Sequence, residues 1–303
     1  YGPIPIMLYQ VMLRLTPDLI QIAMLKTLLS WAIIFFSLRR LARDLNLNKA
    51  FIAIAFLSPL VFLYCRSLWD NVFLVPLSAW FVSNVVAYLA RHSKWELVSA
   101  TLLAVVLFHI HLMGIFVVVP AALAILLDLK DRSIRDRSVA VLFAIIALMA
   151  CVPYIHLLMN RPFSEPYGSF SWGDTLGSSV VGARVLGFAG FFDYFVPELY
   201  ASKPILGPVI FSLLVAMSII GPLISLYGMA LVIGEFVKRR TPLGLFLCLV
   251  PLMTMAVFAW MRLRAHPHYV NATWVIYLIY FAKGFDVVLK RPAGRVLGGA
   301  YAA

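Results

Sequence analysis

The chain has 303 residues, 63% of them hydrophobic and only 13% charged, with a mean hydropathy of +0.96 and a formal net charge of +12. In a soluble protein that charge would suggest nucleic acid. Here Lys and Arg fall in short segments between apolar runs of roughly 17–25 residues, the length that crosses about 30 Å of hydrocarbon. The composition therefore points away from a nucleic-acid partner and towards an all-α, polytopic membrane protein, with residues 1–303 forming a single transmembrane domain.

The apolar runs predict nine transmembrane helices, at about 17–38, 49–65, 71–90, 95–110, 112–128, 138–158, 206–235, 242–260 and 269–286. An outer juxtamembrane segment, 1–16, precedes them, and a long outer loop, 159–205, separates the sixth from the seventh. Of the 25 Lys and Arg residues, 17 fall at one set of ends, from Arg39 to Arg295, and seven at the other: Arg14, Arg66, Arg161, Arg184, Lys203, Arg262 and Arg264. The positive-inside rule makes the first set cytoplasmic. The expected location is a cell (inner) membrane, with the chemistry at the extracytoplasmic face. Nine spans place Tyr1 outside. With no initiator Met and no signal peptide, the chain reads as the remainder of a longer polypeptide.

Cys65, Cys151 and Cys248 stand alone inside predicted spans and read as small packing residues. There is no Gly-rich phosphate loop, HExxH or GxSxG, and no evident internal repeat of the kind transporters carry. Polar residues gather instead at the outer ends. Five of the six His residues, His109, His111, His156, His266 and His268, lie there.

In chain order, Lys26 comes first. It lies within the first span, where a charge costs roughly 2.5–3.5 kcal/mol on insertion scales, so it is expected to face other helices or a cavity. The turn Cys65-Arg66-Ser67-Leu68-Trp69-Asp70-Asn71 then sets Arg66 and Asp70 four residues apart at the membrane boundary. They either pair and close the turn, or Arg66 binds an anion while Asp70 orients or deprotonates an acceptor.

The hairpin 95–128 leaves about 17 residues per leg, which holds its tip, His109-Ile110-His111, at or just below the outer surface. These two His residues either line a polar cavity or hydrate a tight helical corner. No third ligand is apparent nearby in sequence, so no metal site is assigned. The loop 159–205 is too aromatic for disorder and is expected to form short helices on the membrane surface, walling a cavity. In the last outer loop, Arg262, Arg264, His266 and His268 precede Tyr269 at a helix start. Guanidinium forks beside a helix N-terminus suit phosphate, whether of a substrate or of a lipid headgroup. The sequon Asn271-Ala272-Thr273 lies at the same helix start and reads as structural.

Several of these segments together resemble the GT-C superfamily of integral-membrane glycosyltransferases, nearest to the protein O-mannosyltransferases and the bacterial aminoarabinose transferases of lipid A. They are Gly2-Pro3-Ile4-Pro5-Ile6-Met7-Leu8-Tyr9, Ser58-Pro59, Tyr64-Cys65-Arg66, Trp69-Asp70-Asn71, the hairpin 95–128 and His268-Tyr269. The likeness covers nearly the whole chain in order and topology, through short motifs. It implies transfer of a sugar, with inversion, from a polyprenyl-phosphate donor to a hydroxyl or phosphate acceptor at the outer face. The partners implied are membrane lipids, the polyprenyl-phosphate sugar and an acceptor lipid, glycan or protein.

In that family a carboxylate of the first outer loop serves as base, and its position would precede Tyr1. A second acid falls on Asp70. The donor-phosphate residues match Arg66, Arg262, Arg264, His266 and His268, with Lys203 a weaker match. His109, His111 and Tyr269 would line the cavity. His268 stands where the family usually has Arg. Whether a divalent metal assists is left open, as are two rival functions: a transporter or flippase of a lipid-linked or anionic substrate, and a non-catalytic scaffold subunit of a membrane complex.

Overall fold

The computed structural model describes residues 4–48, 50–68, 70–130, 132–160, 171–173, 175, 176, 212, 216, 219–262 and 271–290. Among them every regular element is helical. Helix α1 (Ile4–Leu15) is 12 residues long, about 18 Å, which is too short to cross. Asp18 then takes extended backbone, and its carboxylate accepts from the Ile20 amide at 2.7 Å, capping α2 (Leu19–Asp44).

Helix α2 runs past the expected end at 38, through Arg39, Arg40 and Arg43. Its positions 22, 26, 30, 34, 38 and 42 are all buried, an i+4 ridge that faces the bundle. Ile20, Met24, Leu28 and Phe36 lie exposed on its remaining surface and meet lipid.

The expected span at 49–65 is broken. Pro59 carries no N–H and clashes with the preceding turn, so α3 (Ala50–Leu57) and α4 (Pro59–Arg66) are separate helices of eight residues each. A 3-10 turn, Asp70–Phe73, leads into α5 (Leu74–Arg91), which is buried over nearly its whole length and includes Ser78, Ser83 and Asn84. Helix α5 packs against α2, α4, α6 (Lys94–Ile110) and α7 (Ile115–Leu129), and so forms the axis of the bundle.

A 3-10 turn, Leu112–Gly114, joins α6 to α7. A Cβ on Gly114 would stand 3.0 Å from the Leu107 carbonyl group, so the corner closes only because that residue is Gly. Helix α8 (Ile134–Asn160) packs on α6 and leaves Val141, Leu142, Ile145, Leu148 and Met149 exposed to lipid. Helices α9 (Ile219–Arg239) and α10 (Pro242–Met261) follow; the Thr241 hydroxyl caps α10 by accepting from the Gly244 amide at 3.1 Å.

Helix α11 (Trp274–Lys290) is fully buried from Trp274 to Tyr280. It approaches α9 backbone to backbone at Gly228 and Gly284. A Cβ on Gly228 would lie 1.7 Å from the Tyr280 carbonyl oxygen, and one on Gly284 would lie 2.3 Å from that of Ile224. Lipid tails are as apolar as Leu, so close packing of this kind, rather than water exclusion, holds membrane helices together. The Ser225 hydroxyl reinforces the contact, donating to the Tyr277 carbonyl at 3.1 Å.

Among the described residues, six helices are long and apolar enough to cross a membrane: α2, α5, the stretch Leu112–Leu129, α8, α9 and α10. The chain is thus a helical, multi-pass integral membrane protein. Three of the nine expected spans are not among these six: the 49–65 run is divided at Ser58-Pro59 into two helices of eight residues, and α6 and α11 have 17 residues each, the short end of the spanning range. Of the 159–205 loop, only the end of α8 and residues 171–173, 175 and 176 are described, all of these five but Ser171 within helix.

One end of the bundle carries most of the basic residues, and several of them are paired there. Glu96 takes Arg40 and, at 3.3 Å, Arg91. Asp44 takes Arg91 at 2.7 Å and Arg43 at 3.0 Å, and Arg40 also donates to the Asn84 side-chain oxygen at 2.9 Å. Beyond α7, Arg132 donates to Asp128 at 3.1 Å, and that bond raises its guanidinium above the ordinary value. Lys94 meets Asp136 at 3.1 Å.

Candidate functional site

Several segments converge at the other end of the bundle. The turn Asp70–Phe73 packs against α1, α4, α5 and α6, with the Tyr9 and Phe73 rings 5.2 Å apart. The Trp274 indole donates to the Val75 carbonyl at 2.9 Å, joining the head of α11 to the first turn of α5. Near its own end, α10 lays Phe258 against Phe116 at the start of α7, with ring centroids 6.0 Å apart. The fold therefore gathers the 66–73 turn, the 109–114 corner, the end of α10 and the head of α11.

Arg66 closes α4 and is exposed, its guanidinium stacked 4.8 Å over the Phe62 ring one turn back. Among the described residues no carboxylate pairs with it. The backbone of Asp70 opens the 3-10 turn before α5; its side chain lies outside what is described. Arg262 caps α10 in the left-handed region, φ 53° and ψ 40°, with its amide donating to the Phe258 carbonyl and its side chain exposed. A non-Gly residue at such φ is uncommon. Lys203, Arg264, His266, His268 and Tyr269 lie outside the described residues.

Both His residues of the hairpin tip bind backbone. The Met113 amide donates to His111 Nδ1 at 3.1 Å, so this ring caps the turn into α7 and carries its neutral-form proton on Nε2. His109 Nε2 lies 3.0 Å from the Ala150 carbonyl oxygen, a bond that ties α6 to α8. Asn271, Ala272 and Thr273 are completely buried at the head of α11, which removes the sequon from any glycosylating enzyme in the folded state. Among the described residues no group of three His, Cys, Asp or Glu side chains is placed to hold a metal.

Sequence reading left Lys26 without a partner, and the fold supplies one 38 to 41 residues away. The ammonium is 1% exposed and donates to the carbonyls of Tyr64 at 3.0 Å, Cys65 at 3.0 Å and Ser67 at 2.6 Å. Its three protons are thereby used. The Phe73 ring lies 5.7 Å away, and the Thr27 hydroxyl, whose one proton is shared with the Ala23 carbonyl at 2.6 Å, lies 2.9 Å from the Cys65 carbonyl of the same turn. These are carbonyls that a helix C-terminus leaves without intrahelical donors. The partial negative charge there favours a cation.

An apolar groove of about 420 Å³ runs between α6, α7 and α8. Small residues make the room, among them Ala100, Ala104, Ala122, Ala144 and Ala147; Phe108 and Ile115 close its end beside the hairpin tip. The recurrence of Ala at helical spacing was the signal in the sequence that could have shown it.

No family model, curated protein or solved structure matches this chain.

The chemistry of the site therefore rests on its own residues. Arg66 and Arg262 offer planar donors suited to a phosphate at the membrane boundary. The ammonium of Lys26, with only dipoles around it among the described groups, keeps the 64–67 turn electropositive from beneath. The groove offers hydrocarbon contact along much of the bilayer depth.

Proposed function

We propose that this protein transfers a sugar from a polyprenyl-phosphate-linked donor to an acceptor at the extracytoplasmic face of a cell membrane. The observation that carries the reading is the exposed Arg66, without a carboxylate partner among the described residues, on a turn seated over the buried Lys26 cation and leading to Asp70. The resemblance to GT-C glycosyltransferases supplies the reaction.

In this reading Arg66 and Arg262 hold the donor phosphate, with Arg264, His266, His268 and Lys203 as further ligands. The acceptor oxygen attacks the anomeric carbon, and the bond from that carbon to the phosphate oxygen breaks. The negative charge gathered on the phosphate is met by fixed guanidinium donors. The acceptor proton passes to a carboxylate, Asp70 in this chain. The groove between α6, α7 and α8 accommodates the donor tail.

The test supplies membranes holding the protein with polyprenyl-phosphate mannose or aminoarabinose and measures sugar transfer. Asp70→Asn should lower the rate about 100-fold, as loss of a proton acceptor does, and Arg66→Ala should raise the donor KM. Full activity in both variants would overturn the reading.

One observation favours a second reading. The break at Ser58-Pro59 gives a discontinuous helix, a device by which transporters bind ions at freed carbonyls. Movement of a lipid-linked donor across proteoliposomes, with no sugar transferred, would select this alternative.

A further inference from the structure

We propose that Lys26 is the positioning residue of this site: its ammonium acts as a tethered cation that caps α4 from a neighbouring helix and fixes the turn carrying Arg66. The inference rests on the glycosyltransferase reading for what the turn does, but its structural half stands by itself.

A buried ammonium keeps its charge only where other groups replace its hydration. Here three carbonyl oxygens from one turn, at 2.6 to 3.0 Å, do so, and no carboxylate lies within ion-pair distance among the described residues. The partners are backbone atoms, so the charge remains uncompensated and the backbone is held in place. The hydroxyl of Thr27, the next residue on α2, lies 2.9 Å from the same Cys65 carbonyl and shares its one proton with the Ala23 carbonyl at 2.6 Å. Lys26, with Thr27 in a lesser part, thus grips a turn that has only eight helical residues behind it and a proline break before those. Without the grip, the last carbonyls of α4 would face hydrocarbon with no donor, and the turn would refold to satisfy them. Arg66 and the backbone of Asp70 would move with it.

The Cys65 thiol is a native reporter of this state, because it is completely buried in the gripped turn. The experiment measures N-ethylmaleimide labelling of Cys65 in the full chain in detergent, resolved from Cys248 by peptide mass spectrometry. Lys26→Met preserves length and removes every donor. It should speed labelling of Cys65 at least about tenfold and leave Cys248 unchanged. Lys26→Ala should do the same, with protection restored by n-propylammonium and not by sodium ions or n-propanol. That rescue separates a hydrogen-bonding cation from a side chain that merely fills space, and it holds the test open if Lys26→Met fails to fold. Thr27→Val, which removes one bond, should give a smaller increase, about threefold.

In the transfer assay Lys26→Met should raise the donor KM more than it lowers kcat. If Cys65 stays protected in both Lys26 variants, or if n-propanol rescues as well as the amine, the proposal is overturned. If protection is lost and rescued as expected while Asp70→Asn and Arg66→Ala transfer sugar normally, Lys26 still pins the turn, and the glycosyltransferase reading is what fails.

Discussion

The two ends of this bundle treat positive charge differently. At the basic end Arg40, Arg43 and Arg91 share Asp44 and Glu96, and Arg132 has Asp128. At the other end Lys26, Arg66 and Arg262 have no carboxylate partner among the described residues: the first is satisfied by carbonyl dipoles and the other two are exposed. A cation that already has its anion contributes to stability and topology. A cation surrounded by dipoles or water has charge to spare for a ligand. The proposed function puts recognition of an anion at the end with fewer Lys and Arg residues, where counting charges alone would not look for it.

The contrast can be broken most severely at Glu96. Its carboxylate holds Arg40 and Arg91, and its removal leaves Arg40 part-buried beside Asn84. Glu96→Ala should cost about 2 kcal/mol, between the loss of an exposed pair and of a buried one, seen as a lower midpoint of thermal unfolding in detergent. Trp274→Phe sharpens the other side. Losing the indole donor to the Val75 carbonyl should cost about 1–2 kcal/mol and weaken donor binding in the transfer assay, because this bond joins the head of α11 to the first turn of α5. The smallest effect on stability belongs to Arg66→Ala and Arg43→Ala, each within about 0.5 kcal/mol in unfolding midpoints. Only the first should impair donor binding. Equal impairment by the two would dissolve the distinction between the ends.

Much of this was readable beforehand. The apolar runs located the helices, with α7 and α10 agreeing to within a few residues at either end. Lys26 announced itself as a charge needing partners. The run at 49–65 is two helices rather than one, because hydropathy does not register that one proline, Pro59, interrupts a helical hydrogen-bond ladder. His111 was legible as a corner residue, but its bond to the Met113 amide depends on backbone angles that composition does not encode. Of the candidate site, Arg66 and Arg262 are described and lie exposed at helix ends, while the residues from Arg264 to Tyr269 lie outside the described part.

By itself the sequence determined that this chain is a membrane protein, where most of its long helices run and at which helix ends most of its positive charge falls. Those properties follow from local composition, since each backbone polar group in hydrocarbon must be satisfied within its own helix. Only the tertiary structure decided which helices face lipid and which face one another. Helix α5, the least apolar of the six long ones, is the most buried, while the more apolar α2 and α8 expose most of their surface. Lipid and protein interior are equally apolar, so hydropathy cannot sort them. Steric fit can: Gly228 against Gly284, and Lys26 against three carbonyls some forty residues away.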